Sequence, residues 1–148
     1  MRIILEPSDG EPEVVIRGRA DDPLVQKLLG ACRQVEGASR LFLYRDDRAF
    51  VYDYSEVDWF EAGGGGVTAH IGSETLEARC RLYELAEAAA PHGFVQISKG
   101  LIVNIARVRS VTAEFSGNYL AELKDGKTRL VISRKYVKSF RKYVMEVL

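Results

Sequence analysis

Short apolar runs of β type, each ended by residues that favour turns, follow one another through residues 41–132. Within many of these runs apolar and polar residues alternate, which is typical of a strand with one buried face. Short runs joined by tight turns pair with their neighbours in sequence, so we predict a mainly β fold of antiparallel hairpins. The turn signals lie at Asp46-Asp47, at four glycines over residues 63–66, at Gly72-Ser73, at Ser116-Gly117-Asn118 and at Asp125-Gly126.

Three small helices are expected to interrupt this pattern. Two aspartates before Pro23 predict the start of the first helix, and Gly37 predicts its end. A second helix is predicted from Leu82 to the turn at Pro91. The last helix is predicted to have Ser133 as its N-cap.

The residues before the first helix favour two more strands. Residues 2–5 read RIIL and residues 13–17 read EVVIR, and both runs are rich in β-branched side chains. We therefore expect an N-terminal β-β-α extension over residues 1–40, followed by a domain over residues 41–148. The extension offers no chemistry, so a packing layer and a dimerisation arm are both compatible with it.

The charge of the chain is divided unequally between its halves. The 21 basic and 21 acidic residues cancel over the whole sequence. From Phe94 onward, however, eleven lysines and arginines face four acidic residues, whereas the preceding part carries ten against seventeen. Such an asymmetry is a hint of a polyanionic partner, although a solvated basic face would give the same count.

Two of the apolar runs contain a hydroxyl residue next to a cation. Residues 94–107 read FVQISKGLIVNIAR with Ser98-Lys99, and residues 130–138 read LVISRKYVK with Ser133-Arg134-Lys135. Cations in the first turn of a helix cost a few tenths of a kcal/mol each, because that end carries about half a positive charge. Free amides and cations at one helix end can together hold an anion. The alternative is an exposed cluster neutralised by a nearby acid such as Glu146.

Residues 94–108, FVQISKGLIVNIARV, and the following hairpin, FSGNYLAELKDGKTRLVISRKYVK, together resemble the LytTR family of bacterial DNA-binding domains. That family carries a phenylalanine-led RISKS-x-IVN core, a hairpin with an Asp-Gly turn and a helix that begins SRRYV. The likeness covers residues 41–148. Gln96 stands where the family commonly has a basic residue, and Gly100 where it commonly has serine, which bears on the number of phosphate contacts more than on the fold.

If the chain binds DNA, one residue in the first turn of the last helix is expected to read a base. We expect Arg134 at a guanine edge, because its guanidinium fork matches the O6 and N7 acceptors. Lys135 and Lys138 are expected on phosphates, where they set affinity but not sequence. Ser98 and Lys99 are candidates for a second phosphate contact, and Ser133 is also expected among the DNA-binding residues.

Asn104 ends the run LIVN, where an asparagine commonly caps a turn through its own backbone. The resemblance instead implies that Asn104 contacts DNA. Gly65 and Gly66 lie in a loop whose family counterpart offers a base-reading side chain. Their lack of side chains implies backbone contact, looser specificity, or a role for Thr68 or His70. A merely flexible loop is the alternative.

The function predicted is a sequence-specific transcriptional regulator that reads the major groove of double-stranded DNA through loops. We expect it to bind as a homodimer on two half-sites, and to respond to a regulatory protein partner that in similar regulators can be membrane-embedded. Too few residues precede Leu41 for a receiver domain. The rival hypothesis is a non-catalytic protein-interaction or small-ligand module on a β scaffold.

No catalytic or cofactor motif stands out in the sequence. No Cys/His cluster has zinc spacing, and no serine, histidine and acid carry a hydrolase motif, so we expect neither metal, cofactor nor enzymatic activity. No basic-then-apolar leader begins the chain. Cys32 and Cys80 are expected as small buried residues in a reducing setting, and a cytoplasmic location is predicted on that basis.

Overall fold

The structure, a computed structural model, describes residues 1–37 and 39–147. Strands dominate this part of the chain, and three α-helices and three short 3₁₀ turns accompany them. The elements in chain order are α1 (Pro23–Gly37), β1 (Arg40–Arg45), β2 (Arg48–Asp53), β3 (Trp59–Gly63), β4 (Gly66–Ile71), β5 (Glu74–Ala78), α2 (Leu82–Ala89), β6 (Phe94–Ser98), β7 (Leu101–Asn104), β8 (Val108–Ala113), β9 (Tyr119–Leu123), β10 (Arg129–Ile132) and α3 (Arg134–Val147).

The strands form two antiparallel sheets. Seven strands pair in the order β2-β1-β5-β4-β3-β7-β6, and three pair in the order β10-β9-β8. Sequence neighbours pair at six places, as expected for hairpins with tight turns, and β7 pairs across the fold with β3. The prediction of a mainly β fold with small helices is therefore confirmed.

The seven-stranded sheet separates two hydrophobic cores. Phe60, Phe94 and Ile102 pack on one face, in a core that also takes side chains of α2. Ile97 and Val103 pack on the other face, against the three-stranded sheet and α3. Because β7 is covered on both faces, its sequence LIV is continuously apolar instead of alternating. This arrangement fixes α3 beside β6.

The first 22 residues do not form the two predicted strands. Residues 2–5 and 13–17 belong to no sheet, and Ile3, Leu5 and Val14 are 85%, 89% and 73% exposed. β-branched residues favour extended backbone, but a strand also needs a partner for its backbone hydrogen bonds, and here neither run lies against a sheet edge. The prediction of two strands in the extension is therefore wrong. The division into an extension over residues 1–40 and a domain over residues 41–148 stays a prediction.

The helix of the extension begins as predicted. Pro23 is its first residue, and Asp22 Oδ1 accepts a hydrogen bond from Leu24 N at 2.9 Å. An aspartate in this position satisfies an amide that the helix itself leaves free. The capping pattern alone therefore located this end of the helix.

The two cysteines differ from the prediction that both are buried. Both are free thiols, and Cys32 is half-buried whereas Cys80 is exposed. Partial burial of the sulfur, with a smaller contribution from Glu84, still raises the pKa of the Cys80 thiol. The thiolate, which is the reactive form, is thus disfavoured at Cys80.

The Asp125-Gly126 turn between β9 and β10 is held by its own aspartate. Thr128 Oγ1 donates to Asp125 Oδ2 at 2.6 Å, and Lys127 N and Thr128 N donate to Oδ1 at 2.8 Å each. These bonds favour the ionised carboxylate and lower the pKa of Asp125 from 3.8 to about 2. Because the folded pKa is the lower one, the turn's contribution to stability is complete above about pH 4 and is lost as the pH falls through about 2.

Replacing Thr128 with valine should raise the pKa of Asp125 toward its ordinary value, because the hydroxyl bond is the largest cause of the shift. An NMR titration of the side-chain carboxyl measures this directly. Thr112→Val, an exposed threonine on β8, serves as the control and should leave the titration of Asp125 unchanged. An unaltered pKa in Thr128→Val would show that the amides alone hold the charge.

Candidate nucleic-acid interface

A bulge in β6 connects the first serine–cation unit to the second. Gln96 pairs with Ile102 and Ser98 with Leu101, so Ile97 is the extra residue of the bulge. The Ile97 carbonyl accepts a hydrogen bond from Ser133 N at 2.9 Å. This bond places Ser98-Lys99 beside the start of α3, where Arg134 and Lys135 follow.

The strand that leads into the glycine hairpin is bonded to the β6–β7 turn, which contains Lys99 and Gly100. Ala62 N donates to Gly100 O at 2.8 Å, so the turn at Lys99-Gly100 is joined to the end of β3. We call the three joined segments, residues 63–66, 98–100 and 133–135, the loop face. Its members come from distant parts of the sequence, and two backbone hydrogen bonds set their order.

The four glycines form a two-residue hairpin tip, not a long loop. Gly63 pairs with Gly66, and Gly64 and Gly65 between them have φ of +60° and +83°. Two successive positive φ values are typical of a type I′ turn, which glycine enters without strain. All four glycines are exposed, with no heavy atom within 4 Å of an added Cβ. The tip offers bare backbone to a ligand.

The turn that carries Lys99 is braced from within. The Gln96 side-chain amide donates to Ser98 O at 3.0 Å, and its distance to Lys99 O is 3.5 Å. A basic residue in place of Gln96 would supply donors but add a charge. Here Gln96 supports the turn without adding one, while Lys99 itself is exposed.

The start of α3 is capped by Asn118, which the sequence indicated only as a turn residue. Ser133 precedes the helix, as predicted, and its carbonyl accepts from Tyr136 N at 2.7 Å. The Arg134 amide donates to Asn118 Oδ1 at 2.9 Å. Two amides of the first turn, those of Arg134 and Tyr136, are thus bonded within the protein and are not free for an anion. An anion here would be held mainly by side chains.

A basic groove runs along α3 from this end. Gly117, Arg134, Val137, Lys138 and Arg141 line an open depression of about 390 Å³. The three cations stand at i, i+4 and i+7, which places them on one side of the helix. Sequence reasoning missed Arg141, although this spacing could have revealed it.

Among the described residues, no ion pair joins an acidic side chain to a cation of the loop face or the α3 groove, that is, to Lys99, Arg134, Lys135, Lys138 or Arg141. Arg107 and Arg109, by contrast, pair with Asp58 and Glu122. The side chain of Glu146, the suggested neutralising acid, lies outside the described residues. Like charges on one helix side repel one another, so a bound polyanion would relieve this repulsion.

Asn104 does not lie on this surface. It is 2% exposed at the far end of β7 from Lys99; its Nδ2 donates to Val57 O at 3.0 Å, and its Oδ1 accepts from Ala106 N at 3.1 Å. A side chain that is buried and bonded at both ends cannot reach DNA without unfolding its surroundings. The implied DNA contact is therefore corrected, and the turn-capping alternative describes Asn104.

Within the described residues, no group of histidine, cysteine and acidic side chains could hold a metal ion. In the same part of the chain, no helix is long and apolar enough to cross a membrane.

His70 is half-buried, and its ring stacks on Trp59 with ring centres 3.6 Å apart. Its Nε2 lies 3.5 Å from Oε1 of Glu61. This packed position makes it a structural residue, not a free side chain at the hairpin tip.

Residues 47–145 match the family described as the LytTr DNA-binding domain. Two proteins of Staphylococcus aureus, from strains NCTC 8325 and COL, are each 27% identical over 141 residues, which is 95% of this chain and 95% of theirs. Both are named uncharacterized HTH-type transcriptional regulators. A solved LytTr DNA-binding domain from Bacillus cereus has a TM-score of 0.68 at 21% identity, over 73% of this chain and 98% of that domain.

Proposed function

Since this chain belongs to the family of LytTr DNA-binding domains, we propose that it is a transcriptional regulator that binds double-stranded DNA through the loop face and the α3 groove. The observation that carries the proposal is the row of cations Arg134, Lys138 and Arg141 in the α3 groove. The hydrogen bond from Ser133 N to Ile97 O places the start of this row beside the turn that carries Lys99. Among the described residues, no ion pair neutralises any of these four cations. A duplex presents phosphates at regular spacing and so matches a row of cations.

Within this proposal the residues divide between two tasks. Arg134 reads a guanine in the major groove, because its forked donors match two acceptors on one base edge. Lys99, Lys135, Lys138 and Arg141 contact phosphates and set affinity and register. Ser98 and Ser133 are half-buried and add hydroxyl donors beside them.

The glycine tip supports close approach of backbone to the duplex. Gly65 and Gly66 carry no side chain that would keep the chain away from a phosphate, and their neighbours leave the tip open. Thr68 and His70 lie on β4 behind the tip, and His70 is held against Trp59. Backbone contact by the tip is therefore favoured over base reading by these two side chains.

We further propose that two subunits bind two half-sites about one helical turn, or a multiple of it, apart. This spacing would place both loop faces on the same side of the duplex. The charge difference between the two parts of the chain supports DNA contact by residues after Phe94 and leaves the earlier, acidic part for a regulatory protein partner.

Removing phosphate-binding cations should reduce the salt dependence of DNA binding. We expect the slope of log K against log salt to become less negative by about 0.9, the value for one lost phosphate contact, in each of three variants: Lys135→Ala, Lys138→Ala and Arg141→Ala. The measurement is fluorescence anisotropy of a labelled duplex at several salt concentrations. The duplex is first selected by the wild-type protein from a random library.

Arg109→Ala is the matched control, because Arg109 is exposed but already paired with Glu122. It should leave the slope unchanged. If the three variants behave like this control, the α3 groove is not on the DNA. If the wild type selects no sequence and instead retains an acidic protein, the rival hypothesis of a protein-interaction module replaces this one.

A further inference from the structure

The β8–β9 turn lies directly against the residue that is proposed to read a base. The turn comprises Ser116, Gly117 and Asn118, and it is joined across its base by Glu114 N to Asn118 O at 2.9 Å and by Gly117 N to Glu114 O at 3.1 Å. Ser116 Oγ accepts from Asn118 N at 3.3 Å. The turn is thus a hydrogen-bonded unit, which can position what it touches.

Two contacts connect this turn to Arg134. The first is the hydrogen bond from Arg134 N to Asn118 Oδ1, at 2.9 Å, which fixes the backbone at the start of α3. The second is packing of the arginine stem over Gly117. A Cβ added to Gly117 would lie 2.7 Å from Cδ and 3.3 Å from Cγ of Arg134. The stem therefore occupies the space that any other residue would fill.

Register explains why the turn reaches this place. Tyr119, which follows the turn, pairs with Ile132, the last residue of β10 before α3. The turn at one end of β9 must then stand beside the start of the helix. A guanidinium that reads a base has to be held within about 0.5 Å of its productive position. Contacts to both its backbone and its stem restrict the positions that the guanidinium can take.

We propose that Gly117 and Asn118 are positioning residues for Arg134, and that the β8–β9 turn determines how strongly this protein discriminates guanine at the base that Arg134 reads. The inference rests on the proposed function of Arg134. It assigns no DNA contact to the turn itself. Gly117 lines the α3 groove, so a side chain there would displace the arginine stem from its present path.

The chain offers a matched control at a second glycine turn. Gly126 has φ of +72° and Gly117 has φ of +90°, so alanine strains the backbone at both positions. No heavy atom lies within 4 Å of an added Cβ at Gly126, whereas Arg134 lies there at Gly117. Asparagine tolerates positive φ better than alanine, so the pair Gly117→Asn and Gly126→Asn tests the same contact in proteins that keep the turn.

The experiment measures preference for the wild-type-selected duplex over duplexes with single guanines replaced. Gly117→Ala and Gly117→Asn should reduce the preference at one guanine by about 5- to 150-fold, the range for loss of one bidentate contact. The Gly126 variants should keep it. In the background of Arg134→Ala, Gly117→Asn should have no further effect, because residues that act through one contact are not additive. Asn118→Asp keeps the acceptor and should preserve the preference better than Asn118→Ala.

Equal preference in the Gly117 and Gly126 variants overturns the inference while leaving the proposed function intact. So does an undiminished effect of Gly117→Asn when Arg134 is already alanine, since the turn would then act elsewhere. If Arg134→Ala itself keeps the wild-type preference, the base-reading role fails, and the inference falls with it. Thermal denaturation of each variant identifies any preference lost through unfolding.

Discussion

Replacing Arg134 with alanine should relax base preference at one guanine of the selected site by about 5- to 150-fold, equivalent to about 1–3 kcal/mol. The reason is geometric: a guanidinium donates two parallel hydrogen bonds to O6 and N7 of guanine, and alanine donates none. Competition between the selected duplex and single-base variants measures the change. Affinity for unrelated DNA should fall less, because the remaining cations still contact phosphates.

Two controls sharpen this prediction. Arg48→Ala removes an exposed arginine from β2, at the opposite edge of the seven-stranded sheet from β6, and should leave base preference unchanged. A duplex in which the critical guanine is replaced by 7-deazaguanine lacks the N7 acceptor. It should bind wild type more weakly and Arg134→Ala no more weakly than before. A variant that loses affinity equally for all sequences would assign Arg134 to a phosphate.

Replacing Asn104 with alanine should lower the free energy of unfolding by about 2–4 kcal/mol and leave DNA affinity of the folded protein unchanged. The side chain is buried, and its loss leaves Val57 O and Ala106 N without their partners. Unpaired polar groups in a core are more costly than the bond they formed. Urea denaturation measures the first effect, and anisotropy at a temperature where the variant is folded measures the second.

Asn104→Asp separates packing from hydrogen bonding. Aspartate keeps the acceptor for Ala106 N but places a charge beside the Val57 carbonyl, so burial should raise its pKa in the folded state. Stability of this variant should therefore be greater at low pH and decline as the pH rises through that folded pKa. Normal stability with lost DNA binding in Asn104→Ala would instead restore the asparagine to the DNA surface.

Local patterns were sufficient for most elements. Asp22-Pro23 marked the start of α1, Asp125-Gly126 marked a hairpin, and the apolar LIV marked a strand, because each depends on neighbours in sequence. Local patterns did not show how the two serine–cation units, Ser98-Lys99 and Ser133-Arg134-Lys135, are placed relative to each other. Their actual connection depends on the bulge at Ile97, which a periodic pattern does not reveal.

Local patterns were enough to predict the hairpins and the helix starts and to reveal the excess of cations after Phe94, since capping, turn geometry and charge are properties of adjacent residues. The folded chain was needed to show that residues 2–5 and 13–17 pair with no sheet, that Asn104 is buried, and that the β8–β9 turn contacts Arg134. Each of these depends on what distant segments leave exposed or cover. An extended run becomes a strand only beside a free sheet edge. An asparagine can contact DNA only where the fold leaves its side chain exposed, and it caps a turn where the fold buries it.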